Sequence, residues 1–282
     1  MVPTLVLSGC AWLENKQNQI ALRPTPGKPA GMADDSVLFR PADERQLLSL
    51  ASAANAPPQQ LAIWWLPNAN PQAPALLYLH GTFRNLYSNL SKINALRDAG
   101  FSVLAVDYRG WGDSTFMVPS EDSIAQDTLT AWRELQRRQP NPQRRVIFGH
   151  SMGGAVAVRL ASTLHSGADY GALVLESTFT NMPDVASAVG FWGRVAGSLI
   201  TLQFDSAARV GRIDAPILML HGTADKTVPI ELGRALRIAA PPGTRWLEFH
   251  GGSHSQLHSE FKTLYTQTFQ DLAHRLSPRN PP

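Results

Sequence analysis

The stretch Arg145-Val146-Ile147-Phe148-Gly149-His150-Ser151-Met152-Gly153-Gly154 constrains the fold more than any other part of the chain. A short apolar run stops at a serine held between glycines, and the small apolar residues Gly154 to Ala161 follow it. A buried strand that reverses into a helix within one residue forces the turning residue into strained backbone geometry. Glycine on either side removes the side chains that would collide there. Such a turn lifts the Ser151 hydroxyl above the sheet, and the new helix points its first N–H groups at whatever sits beside it. A tight turn with a capping serine needs the same residues, so the weight falls on the surroundings.

The surroundings supply a sheet. Continuous apolar runs at Ala75 to His80, Phe101 to Asp107, Arg145 to Phe148, Ala172 to Leu175, Pro216 to Leu220 and Arg245 to Phe249 have the form of strands covered on both faces. Val37-Leu38-Phe39, Gln46 to Leu50 and Leu61 to Leu66 read as further short strands. Helical patterns lie between the runs. Ser120 to Gln139 is stopped by Pro140, Glu231 to Ala239 is a second, and Leu257, Phe261, Leu264, Tyr265, Phe269, Leu272 and Leu276 share one face of a C-terminal helix. Alternating strands and helices predict an α/β domain, with a mostly parallel sheet, helices on both faces and functional residues at the carboxyl ends of strands. The segment Thr178 to Asp214 is a short insert, too small for a large lid.

At 282 residues with 44% hydrophobic and 17% charged content, the chain accommodates one substantial core. A net charge of +3 comes from Lys and Arg scattered along the chain, with Arg137-Arg138 and Arg144-Arg145 the tight clusters, which argues against a nucleic-acid partner. The single cysteine, Cys10, excludes an intramolecular disulfide and a cysteine metal site, and no His or Asp pair has metal-ligand spacing with a supporting third ligand. No cofactor is expected, and nothing addresses the oligomeric state. Leu7-Ser8-Gly9-Cys10 resembles the lipobox of bacterial lipoprotein signal peptides, in which the cysteine is acylated and becomes the new N-terminus. Only nine residues precede it, without a basic n-region, so the expectation is a longer signal that begins upstream. Ala11 in place of aspartate implies anchoring in the outer membrane of a bacterial envelope; without a signal the chain would be cytoplasmic. Residues 1–36 are then a leader and tether, made extended by Pro24, Pro26, Gly27, Pro29 and Gly31, and residues 37–282 the folded domain. No stretch approaches the length of apolar sequence that spans a membrane.

A serine nucleophile needs a base, and the base needs a carboxylate that fixes its tautomer. After the run ending at Leu220 comes His221-Gly222-Thr223-Ala224-Asp225; after the run ending at Phe249 comes His250-Gly251-Gly252-Ser253-His254. Asp225 and His254 thus follow strands in the chain order Ser, Asp, His. Met152 N–H and, from the loop Gly81-Thr82-Phe83, Thr82 N–H are the candidate donors for an oxyanion. HGTF from His80, DYRGWGDS from Asp107, GHSMGG from Gly149, ESTFT from Glu176, FDS from Phe204, HGTADKTVP from His221 and GGSH from Gly251 stand in sequence. Through these segments the chain from about Leu61 to Leu272 resembles a small, lid-poor α/β hydrolase, of the branch with depalmitoylating abhydrolase-domain proteins and lysophospholipases. The resemblance implies Ser151, Asp225 and His254 as a triad, with Thr82 and Met152 as oxyanion donors. It leaves the choice among esters, thioesters and amides open.

His80, His150, His221 and His250 also end strands and read as hydrogen-bonded structural residues. Glu176 is the alternative orienting acid, and Asp107, Arg109 and Asp113 read as turn-stabilising, with a substrate role as the alternative. Phe83, Tyr108, Trp111, Phe179, Phe191 and Trp192 are candidate walls of an acyl pocket, with core packing as the equal alternative. The expected activity is hydrolysis of an acyl-lipid or other lipophilic ester or thioester through an acyl-enzyme, the partners being that small acyl substrate and, through the anchor, a membrane. The alternatives are an aminopeptidase-like amide hydrolase and a catalytically silent binding lipoprotein.

Overall fold

The structure, a computed structural model, describes residues 3–50, 57–188 and 201–277. Eight strands form one sheet: β1 Glu44–Leu50, β2 Gln59–Leu66, β3 Ala75–Leu79, β4 Ser102–Asp107, β5 Arg145–His150, β6 Ala172–Glu176, β7 Ile217–Gly222 and β8 Arg245–Phe249. Their spatial order is β1-β2-β4-β3-β5-β6-β7-β8, antiparallel across β1, β2 and β4 and parallel from β4 to β8. The parallel strands are the six apolar runs.

The helices are α1 Pro3–Leu22, α2 Asp35–Leu38, α3 Leu86–Asp98, α4 Glu121–Arg138, α5 Met152–Ala161, α6 Met182–Ser187, α7 Ala207–Val210, α8 Ile230–Ala239, α9 Leu257–Glu260 and α10 Lys262–Leu276. Successive strand residues face opposite sides. Leu77 and Leu79 of β3 therefore join Trp132 of α4, Val156 of α5 and Leu236 of α8 in one core. Leu76 and Tyr78 join Ile93 of α3 and Phe269 of α10 in the other. Helix α4 starts where Ser120 and Ser123 cap each other's backbone N–H groups, with Glu121 and Asp122 in the first turn and Arg137 and Arg138 in the last.

Two expectations for the N-terminal part differ from the fold. Val37-Leu38-Phe39 is no strand: Asp35–Leu38 is a single helical turn. An apolar run this short has no neighbour to pair with, and the ring of Phe39 instead meets Trp64 edge-on at 4.8 Å. The Pro/Gly-rich segment is not free either. Pro26 bridges to Gly112, Gly27 N–H donates to Gly112 O at 2.7 Å, and the Asn85 amide donates to Gly27 O at 2.6 Å. Proline removes donors, but the carbonyls left behind still bind a loop that offers N–H groups. Leu22, fully buried in the core, and the buried Asn18 hold the end of α1 against the body.

Candidate active site

Strand β5 runs into α5 through Ser151, whose φ of 56° and ψ of −125° are strained for a residue with a side chain. The strain persists because the turn is pinned: Ser151 N–H donates to Glu176 O at 2.9 Å, and Ser151 O accepts from Thr178 Oγ1 at 2.8 Å. A Cβ on Gly149 would lie 2.2 Å from Gly153 O, and one on Gly153 would lie 2.1 Å from Leu79 O. Glycine is required at both positions by close approach. Gly81, at the end of β3, is similarly pressed on the turn, since a Cβ there would sit 2.9 Å from Ser151 Cβ.

Asp225 follows β7 and precedes α8. Its Oδ1 accepts the N–H groups of Thr227 and Val228, each at 2.8 Å, which turns Oδ2 toward the loop after β8. That loop carries His254, whose Nδ1 lies 2.7 Å from Asp225 Oδ2 and whose Nε2 lies 3.0 Å from Ser151 Oγ. Burial pushes the Asp225 carboxyl up, but hydrogen bonds from His221, His254 and Val228 outweigh it and hold the group below the usual carboxylate range. With Asp225 ionised, Nδ1–H of His254 donates to it and Nε2 is left as the acceptor for the Ser151 hydroxyl. A hydroxyl, an imidazole and a carboxylate so aligned form the arrangement that makes a serine nucleophilic near neutral pH. Met152 is the first residue of α5, so its N–H has no partner within the helix and points out at the turn. Thr82 lines the same cleft as Ser151 and His254, a shallow space of about 30 Å³.

The other histidines are held elsewhere. Burial lowers His80 to about 4, and its Nδ1–H donates to Gly81 O at 2.6 Å. His221 Nε2–H donates to Val228 O at 2.9 Å, and His250 is exposed. His150 is different: its Nε2–H donates to the backbone carbonyl of His254 at 2.9 Å and so anchors the loop that bears the imidazole. Its place next to Ser151 was the only signal in the sequence. Glu176 does not reach His254. Its carboxylate is buried against Lys92 and accepts the Tyr265 hydroxyl at 2.8 Å. Asp107 accepts Leu86 N–H, Arg109 pairs with Asp127 at 2.7 Å, and Asp113 accepts the Tyr87 hydroxyl, so this trio braces a loop.

Of the candidate pocket walls, Phe83 lines the cleft. Tyr108, Trp111 and Phe179 lie in the core beneath it, each at most 2% exposed, where aromatic area is best removed from water. Phe191 and Trp192 lie outside the described residues, and so does the side chain of Cys10. Among the described residues, no helix is long and apolar enough to cross a membrane. Arg84, Asn89 and Ser255 also line the cleft, and the sequence reading did not single them out.

A family model described as serine aminopeptidase, S33, matches residues 70–202. A lysophosphatidylserine lipase of Danio rerio is 34% identical over 190 residues, covering 62% of this chain and 49% of the relative. An uncharacterised protein of Mycobacterium tuberculosis is 32% identical over 198 residues, covering 70% of this chain and 68% of its own length. The chain thus spans about half the length of the first curated relatives it matches. An alpha-beta hydrolase of Vibrio vulnificus superposes with a TM-score of 0.70 at 19% identity, over 92% of each chain, and shares the fold.

Proposed function

Because the chain belongs to the α/β-hydrolase superfamily, we propose that it is a serine hydrolase that cleaves a carboxylic ester or thioester of a lipophilic acyl group. The observation that carries the reading is the unbroken row Ser151 Oγ, His254 and Asp225, at 3.0 and 2.7 Å. In this reading His254 takes the hydroxyl proton as Ser151 Oγ attacks the carbonyl. Met152 N–H and Thr82 N–H receive the oxyanion, and losing one such donor costs about 2.7–4 kcal/mol of transition-state stabilisation. His254 then protonates the leaving alcohol or thiol, and water resolves the acyl-enzyme by the same route in reverse. Asp225 stays ionised throughout and stabilises the imidazolium.

The lipase named among the relatives supports an acyl-lipid ester. The family model's description favours a second reading, hydrolysis of aminoacyl amides. A panel of p-nitrophenyl esters, acyl thioesters and aminoacyl amides of graded chain length separates the two. Esters or thioesters are expected to give the higher kcat/KM, rising with acyl length, whereas turnover of the aminoacyl amides alone selects the second.

Anchoring at Cys10 in a bacterial outer membrane completes the proposal, on the strength of Leu7-Ser8-Gly9-Cys10 and a helix whose far end is fastened to the body by Leu22. The mass of the mature protein from its native host is expected to be that of an acylated chain beginning at Cys10. An unacylated product beginning at Met1 overturns the anchor and leaves the chemistry untouched.

A further inference from the structure

The loop between β3 and α3 ends in a tight turn in which Arg84 N–H donates to Thr82 O at 2.9 Å and Phe83 takes a φ of 68°. A left-handed conformation in a phenylalanine is costly, and here it turns the Phe83 ring, 46% exposed, and the Arg84 side chain to the rim of the Ser151 cleft. Among the described residues, Arg84 is the only formally charged side chain that lines this cleft. Unlike Arg97, Arg109, Arg138 and Arg234, which all meet carboxylates, it has no ion-pair or hydrogen-bond partner among the described residues. The nearby acids are already engaged, Glu176 with Lys92 and Tyr265, and Asp225 with His254 and His221.

A second cation stands beside it. The Arg23 guanidinium lies 4.6 Å from the centroid of the Phe83 ring and likewise has no carboxylate within reach among the described residues. Its segment is fastened rather than loose: the Asn85 amide holds Thr25 O at 3.2 Å and Gly27 O at 2.6 Å, and the Thr25 hydroxyl reaches Phe83 O at 3.4 Å. Burial is the main cause that lowers His150 and His258, and Arg84 is among the charges that lower both further, while Glu176 and Glu260 act on His258 in the opposite direction. Arg84 therefore lines the cleft unpaired, and Arg23, also without a carboxylate partner among the described residues, stands over the neighbouring Phe83 ring.

We infer that Arg84, with Arg23 across Phe83, forms an anion-binding subsite that holds a phosphate or carboxylate group on the substrate whose carbonyl meets Ser151. The inference rests on the reading of Ser151 as the nucleophile and adds the charge of what it attacks. A guanidinium presents paired donors that match two oxygens of such a group, and because it is more weakly hydrated than an ammonium it gives up less hydration to do so. The attraction acts at the rim, so salt weakens it. The exposed Phe83 ring, which lines the cleft with Arg84, suits the first carbons of an acyl or glycerol chain next to the charged group.

The test uses the full chain and three esters with one short acyl chain: 1-acylglycerol, its 3-phosphate and its 3-phosphocholine, below their micelle concentrations. The wild type is expected to favour the phosphate over the neutral ester. In Arg84→Gln the ratio of the two kcat/KM values is expected to fall about tenfold, chiefly through KM, the size of a lost charge-assisted hydrogen bond. Arg84→Glu is expected to invert the ratio, Arg84→Lys to keep part of it, and added salt to compress it in the wild type. Inorganic phosphate tells the two sources of the anion apart. Competitive inhibition that weakens in Arg84→Gln means the subsite also takes the free ion, and no inhibition beside a preserved preference means it takes the group only on an ester. A ratio unchanged in both Arg84→Gln and Arg84→Glu overturns the subsite, as does an equal fall for all three esters. Turnover of none of the three by the wild type also overturns the subsite, whereas turnover of all three by Ser151→Ala removes the nucleophile reading itself.

Discussion

An Asp225→Asn variant is expected to melt close to the parent and to lose about 10⁴-fold in kcat/KM, the size of the same change in other serine hydrolases. The direction follows from which oxygen does what. Oδ1 is committed to the N–H groups of Thr227 and Val228, so the amide oxygen of asparagine must take that place and the NH2 group must take the place of Oδ2. A donor then faces Nδ1 of His254, where the carboxylate accepted a proton at 2.7 Å. The ring answers by moving its proton to Nε2, which now points an N–H at Ser151 Oγ instead of a lone pair. The same NH2 lies against the Nε2–H of His221, 3.3 Å from Oδ2 in the parent, so rotating the amide exchanges one mismatch for another. Ester hydrolysis kinetics beside a thermal melt check this, and a loss of less than tenfold in a folded variant would assign the orienting role elsewhere. Glu176 does not fill that role from where it stands, because Lys92 and Tyr265 occupy both its oxygens.

The central sheet was legible because strands covered on both faces are largely apolar, as β3 to β7 are; β8, at the sheet edge, is only partly buried, yet it too is a parallel strand. Helix α3 is harder to read, although Leu86, Leu90, Ile93 and Leu96 repeat at helical spacing. Asn89 and Lys92 are also buried on it, and their polarity blurs the stripe. What makes Lys92 tolerable inside is Glu176, far away in sequence, and burial of such a pair is a property of the assembled fold. The same limit applies to the site. Ser151, Asp225 and His254 each follow a strand end, which local pattern reveals, and their common meeting point follows from the strand order. Which aromatic residues wall the cleft does not follow, because a phenylalanine or tryptophan near a strand end packs equally well above the sheet or within it. Tyr108, Trp111 and Phe179 went into the core, and Phe83 reached the rim through a left-handed turn that nothing in HGTF announces. Composition marked residues 23–31 as unable to pack, yet the backbone carbonyls of Thr25 and Gly27 and the N–H of Gly27 fasten them to Asn85 and Gly112.

Reaction with a fluorophosphonate tests the account most directly. In the proposed mechanism, attack by Ser151 Oγ forms a bond to phosphorus and expels fluoride, His254 taking the proton, and the adduct persists because it mimics the tetrahedral state that the proposed Met152 and Thr82 donors would receive. Trypsin releases the peptide Val146 to Arg159, in which Ser151 is the only serine, so the mass of that peptide locates the adduct without ambiguity. The account predicts one phosphonyl group per wild-type chain, carried on this peptide, slower labelling in His254→Ala and none in Ser151→Ala. A folded wild-type chain that stays unlabelled, or one labelled on any other peptide, would contradict it.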